Sequence, residues 1–127
     1  MRIALVSETV FPQVNGVSRT LDRLVRFLDA QGDEVLLLVP AYDEPWDDDP
    51  TGVKRCSFRA WALPFYKDIL LPFVRVGRLQ EALREFEPDL VHIATEGPLG
   101  GQAMRAVRRL KLPLVTSYHT NFSQYAR

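Results

Sequence analysis

The sequence predicts an α/β protein, a doubly wound parallel sheet with helices on both faces. Short, continuously apolar runs alternate along the chain with stretches whose apolar residues recur at helical spacing. The runs are apolar at every position rather than at every second one, as strands covered on both faces require. A length of 127 residues suits one domain with a single core.

Ile3–Val6 is the first such run and is followed by a loop, Ser7–Gly16, that carries Pro12 and the turn pair Asn15-Gly16. Val17, Leu21, Leu24, Val25 and Leu28 then fall on one stripe of a helix, with Arg19, Asp22, Arg23, Arg26 and Asp29 on the other. Gly32 stands where a left-handed residue ends such a helix. Glu34–Pro40 is the second strand. Ala41–Gly52 is polar and breaker-rich, and its acidic run Asp47-Asp48-Asp49 is expected to be a solvated charge run rather than a metal site.

Val53–Phe58 is a short strand. Arg59–Pro72, in which Pro64 and Pro72 bracket an aromatic and aliphatic segment, fits no single period. Val76, Leu79, Leu83 and Phe86 mark a second helix that Pro88 closes. Leu90–Ala94 is a strand with His92 expected in the core. Leu99–Leu110 is a third helix turning Met104, Val107 and Leu110 inward, and Leu114–Ser117 is the last strand. Tyr118–Arg127 has three aromatic residues and no stop signal, so a fragment of a longer chain is expected.

Sixteen basic and sixteen acidic residues give zero formal charge, which argues against a nucleic-acid partner held by bulk positive charge. The single cysteine, Cys56, excludes an internal disulfide framework and fits a reducing, cytoplasmic compartment. No apolar run approaches the roughly 20 residues that span a bilayer. No metal-ligand spacing is present, and no bound metal or cofactor is expected. The segment Phe65–Arg78 mixes aromatic and aliphatic residues with Lys67, Arg75 and Arg78. It reads either as an ordinary helix with its entry loop or as a peripheral contact with an anionic membrane, here the inner face.

Ligands of open parallel sheets bind beyond the carboxyl ends of the strands. Those places hold Ser7–Gly16, Thr95–Gly101 and Tyr118–Asn121. Gly16, with Asn15 before it, starts a helix whose amino end carries partial positive charge. The pair suits a phosphate, or it is a plain helix cap. The glycine pattern of dinucleotide sites and that of P-loops are both absent. Glu96 either accepts hydrogen bonds from sugar hydroxyls or caps the helix that follows. His119 either donates to a substrate oxygen or is structural.

Three segments, Ser7-Glu8-Thr9-Val10-Phe11-Pro12-Gln13-Val14-Asn15-Gly16-Val17, Ala94-Thr95-Glu96-Gly97-Pro98-Leu99-Gly100 and Ser117-Tyr118-His119-Thr120-Asn121-Phe122, carry a resemblance across the whole chain. They look like the amino-terminal domain of retaining GT-B glycosyltransferases. The branch is family 4, with its bacterial lipid mannosyl- and glucosyltransferases and sulfoquinovosyl-diacylglycerol synthases. The resemblance implies half of a two-domain fold: residues 1–127 as a Rossmann-like, acceptor-side domain, truncated before a donor-binding carboxy-terminal domain. It implies that Asn15 and Gly16 meet the diphosphate of a nucleotide sugar and that His119 contacts the donor sugar as the catalytic residue. Thr9, Glu96, Thr120 and Asn121 would line the acceptor and sugar side. Many relatives have two glycines where this chain has Asn15-Gly16.

Such enzymes transfer sugar with retention and without a metal on an Asp-x-Asp motif. The acceptor is expected to be a membrane lipid, and the isolated chain is expected to be inactive. The competing class is a non-catalytic, flavodoxin-like module for a small ligand or a membrane surface. A phosphate receiver wants aspartates after its first and third strands and a lysine after its last. Ser7-Glu8, Arg59 and Tyr118-His119 occupy those places.

Overall fold

The first strand of the chain is the central strand of its sheet in the computed structural model, which describes residues 1–8, 16–41, 49–58, 60–63, 66–72, 74–94 and 97–116. β1 (Arg2–Val6) pairs in parallel with β2 (Glu34–Pro40) on one side and β6 (Leu90–Ile93) on the other. β3 (Val53–Phe58) extends the sheet beyond β2, and β7 (Leu114–Thr116) extends it beyond β6. The order is β3-β2-β1-β6-β7, every pairing parallel. The chain winds outward from β1 to β3, then restarts beside β1 and winds the other way. A crevice therefore opens between the carboxyl ends of β1 and β6.

Alternation across the pleat divides the apolar runs between two cores. Ala4, Val6, Leu36, Leu38, Val91 and Ile93 face α2 (Val76–Phe86) and α3 (Pro98–Leu110), which contribute Leu79, Leu83, Leu99 and Val107. Leu5, Val35, Leu37 and Val39 face α1 (Gly16–Ala30), which contributes Leu21 and Val25. Leu79 and Leu83 are at most 1% exposed, and each contributes about 1.5–3 kcal/mol by leaving water. The doubly wound parallel architecture predicted from the sequence is the one observed.

The helix ends obey local chemistry. Gly32 adopts φ +87° after α1, the left-handed position that only glycine takes without strain. Glu87 and Lys111 do the same after α2 and α3 with φ of 53° and 55°.

Three expectations need correction. Phe65–Arg78 is not a helix with an entry loop. β4 (Ala60–Leu63) and β5 (Tyr66–Pro72) form an antiparallel pair beside the main sheet, and the helix begins only at Val76. The acidic run is not wholly solvated, because Asp49 takes a forked ion pair from Arg55, 2.5 Å from Nε and 3.2 Å from Nη2. Asp47 and Asp48 lie outside the described residues. His92 is half-buried rather than in the core, in a row with Leu5 and Val115 across the sheet. Of the expected last strand, Leu114–Thr116 is observed, and Ser117 lies outside the described residues.

Candidate functional site at the sheet switch point

The crevice is closed at its base by a contact between the two strands that flank it. Ser7 is fully buried at the end of β1, and its N–H donates to Leu38 O. Across the gap the Ala94 N–H donates to Val6 O at 2.8 Å, so both ladders run to the rim. Glu8 then turns its side chain toward α3.

The start of α3 explains why. Its N-cap is Gly97, which has no side chain to offer, and its first residue is Pro98, which has no N–H. The third helical residue, Gly100, donates its N–H to Oε1 of Glu8 at 2.8 Å. That is the bond an N-cap side chain ordinarily accepts; here it comes from another strand. A Cβ on Gly97 would stand 2.7 Å from Cδ and Oε1 of Glu8. A side chain there would push the Glu8 carboxyl aside, although its φ of −74° suits any residue.

Burial pushes the Glu8 carboxyl above the ordinary glutamate value. The amides of Gly100, Gly97, Glu8 itself and Leu99 pull it down without cancelling the effect.

The other helix at this rim is α1, which begins at Gly16. Its first turn holds no acidic residue, and the preceding Thr9–Asn15 contain none in the sequence. A Cβ on Gly16 would meet no atom of the described residues within 4 Å. Of the two amino ends, that of α3 already carries an internal carboxylate, whereas the lead-in to α1 offers no such anion.

A cavity of about 250 Å³ lies beside α3, lined by Ile93, Gly100, Gly101, Met104 and Thr116. Cys56 is half-buried on β3, and burial raises its thiol, with Arg78 pulling it down and Glu85 pushing it up. That makes it a weak nucleophile.

Of the residues singled out by the sequence, Gly16 is described and is the first residue of α1. Thr9, Asn15, Glu96, His119, Thr120 and Asn121 lie outside the described residues. Glu8 caps α3 from beyond the end of β1, whereas Glu96, which the sequence also offered for that role, lies outside the described residues. Sequence reasoning missed Glu8 as a site residue. The signal was there: an acidic residue directly after a buried strand, and a helix whose cap position is glycine.

The chain matches glycosyltransferase family 4 over residues 14–127. It is 36% identical to a GDP-mannose-dependent alpha-mannosyltransferase of Mycobacterium tuberculosis, over 99% of this chain and 34% of that protein. With an alpha-monoglucosyldiacylglycerol synthase of Streptococcus pneumoniae the identity is 30%, over 98% of this chain and 28% of that protein. The chain thus spans about a third of the length of the curated relatives it matches. Among solved structures, MurG of Acinetobacter baumannii superposes with a TM-score of 0.58 at 14% identity, over 99% of this chain and 38% of that one. That likeness shows the fold. A parallel sheet with a switch-point crevice, matched along nearly its whole length, places this chain in glycosyltransferase family 4, as part of its amino-terminal region.

Proposed function

We propose that this chain is the acceptor-side half of a retaining hexosyltransferase that moves a sugar from a nucleotide-diphosphate donor to a membrane lipid. The observation that carries the reading is the amino end of α1 at the switch-point rim, with an acid-free approach, while α3 already has its own carboxylate. A diphosphate is the anion that such a helix end favours. The names of the relatives supply the chemistry: one uses GDP-mannose, another makes a glucosyl diacylglycerol.

In this reading Asn15 and the Gly16 amide hold the diphosphate, and His119 donates a hydrogen bond to the donor sugar near its reacting carbon. Thr9, Glu96, Thr120 and Asn121 position the acceptor. The bond from the sugar carbon to the diphosphate oxygen breaks, and the bond to the acceptor oxygen forms on the same face. The acceptor proton passes to the departing diphosphate, and a nucleoside diphosphate leaves. No metal is assigned a role, and stabilising charge on the leaving group is the main task of the site. A second domain supplies the rest of the donor site. The protein works in the cytoplasm, with peripheral contact at the inner face of the membrane through Phe65–Arg78, which vesicle co-sedimentation checks.

The test is Gly16→Ala and His119→Ala in the full-length enzyme that carries this chain. GDP-mannose and UDP-glucose serve as donors, with diacylglycerol in phosphatidylglycerol vesicles as acceptor. Because a Cβ at Gly16 meets no atom of the described residues, its variant is expected to melt at the parent temperature while donor KM rises. His119→Ala is expected to lower kcat by about a hundredfold. Unchanged donor kinetics in a folded Gly16→Ala protein overturns the diphosphate site.

A further inference from the structure

α1 and α2 each carry an ion pair along their own surface, and α3 has none. In α1 Arg26 lies 2.9 Å from Asp22, and in α2 Arg78 lies 3.9 Å from Glu81. From Gly97 to Thr116 the sequence holds no acidic residue, while Arg105, Arg108, Arg109 and Lys111 are all exposed. None of the four enters an ion pair among the described residues. A chain of zero formal charge thus gathers four unpaired cations on one helix and its C-cap. We propose that the outer face of α3 is a docking surface for an anionic lipid bilayer, met through Arg105, Arg108, Arg109 and Lys111.

The four cations form one surface. Leu99, Ala103, Ala106 and Val107 pack α3 on the sheet. Spacings of three and four residues from Arg105 to Arg108 and Arg109 group those exposed side chains on the other side. Helix stability does not account for them. Arg108 and Arg109 suit the negative carboxyl end of α3. Arg105 lies outside the last turn and stands four residues from Arg109, a spacing at which like charges repel. Nor are they placed for a donor phosphate. The amino end of α3 borders the crevice, and all four cations lie toward the other end.

The occupant follows from what this surface lacks. The exposed large apolar residues among those described are Met1, Phe27 and Val115, none of them on α3. A protein partner needs apolar or aromatic area at the centre of the contact. An anionic bilayer attracts clustered cations by charge alone. α2 packs against α3 on the same face of the sheet, so Arg75 and Arg78 border this surface. Exposed Glu81, Glu85 and Glu87 offset the charge of α2, which leaves α3 as the main source of positive charge on that face.

The purpose of this surface rests on the lipid-acceptor reading, and the experiment separates the two by measuring binding and transfer independently. The full-length enzyme that carries this chain is sedimented with phosphatidylglycerol–phosphatidylcholine vesicles and with phosphatidylcholine alone. Three versions are compared: parent, Arg105→Gln with Arg109→Gln, and a control, Arg19→Gln with Arg23→Gln. The control removes the same charge at the same spacing from exposed positions of α1, on the opposite face of the sheet. Glutamine is a good helix former, and both variants are expected to melt near the parent temperature. Affinity for the anionic vesicles is expected to fall about tenfold or more in the α3 variant and to stay within about twofold in the control. Arg105→Lys with Arg109→Lys keeps the charge and is expected to bind as the parent does. Loss of binding in that folded variant overturns the proposal. Equal loss in the α3 variant and the control shows attraction by overall charge and overturns it too, as does equal sedimentation of the parent with phosphatidylcholine alone. Parent protein that binds single-stranded RNA and no vesicles overturns it in favour of a nucleic acid. Transfer from GDP-mannose or UDP-glucose is read with diacylglycerol in neutral detergent micelles, where the α3 variant is expected to match the parent. A parent that transfers no sugar yet binds anionic vesicles through α3 defeats the transferase reading and leaves the surface standing. A parent that transfers sugar and binds no vesicles does the reverse.

Discussion

Glu8 shows how a single side chain can be set by its surroundings in two opposing ways. Burial raises its carboxyl above the ordinary glutamate value, and the amides at the start of α3 hold it down. Burial prevails, so the folded chain takes up this proton at a higher pH than the unfolded chain. The stability gained is complete below the ordinary glutamate value and is lost as pH rises through the higher folded value. In thermal melts of the chain, Glu8→Gln is expected to flatten the decline in Tm as pH rises above the ordinary glutamate value. Equal slopes in parent and variant would contradict the assignment. The residue was hard to find from the sequence for a physical reason. Caps are sought within a few positions of a helix start, and this one comes from 92 residues away. The start of α1 at Gly16, by contrast, was legible, because loop, glycine and helix are consecutive in the chain.

At the scale of elements, what could be read in advance was what local periodicity encodes. Glu34–Pro40, Val53–Phe58 and Val76–Phe86 have the bounds their apolar spacing indicated. The β4–β5 pair did not, since a short apolar run such as Ile69-Leu70-Leu71 suits a strand and a buried helix turn equally. Pairing with β4 decides it. The arm that results leads directly into exposed Arg75 and Arg78 at the start of α2, where Arg78 also lies 6.0 Å from the centre of the Phe58 ring. Attraction of those two cations to an anionic bilayer is screened by salt and worth about 1 kcal/mol per charge. The chain is expected to sediment with phosphatidylglycerol vesicles at low salt and to be released by added salt. Arg75→Glu with Arg78→Glu is expected to lose binding. Equal sedimentation with neutral vesicles would exclude this contact. No helix among the described residues is long and apolar enough to cross a membrane.

At the scale of the molecule, the sequence indicated alternating strands and helices but not the order in which the strands lie. That order depends on where the chain leaves β3 and returns beside β1, which no local pattern records. The crevice so formed has one wall of the proposed active site, and the curated relatives are about three times as long. Purified 127-residue protein is therefore expected to release no GDP from GDP-mannose and no UDP from UDP-glucose, with or without diacylglycerol vesicles. Turnover by this chain alone would show that a second domain is dispensable. The central place of β1 also bears on how the protein is made. β1 leaves the ribosome well before β6, and the Arg2 N–H can donate to the Asp89 carboxylate only after 87 further residues have been added. At ribosomal rates that delay is roughly 4–17 s. During it, one edge of the strand that will become the middle of the sheet is exposed in the nascent chain, open to pairing with other chains. The yield of folded protein should thus depend on translation speed and on chaperones that shield β1 until β6 emerges.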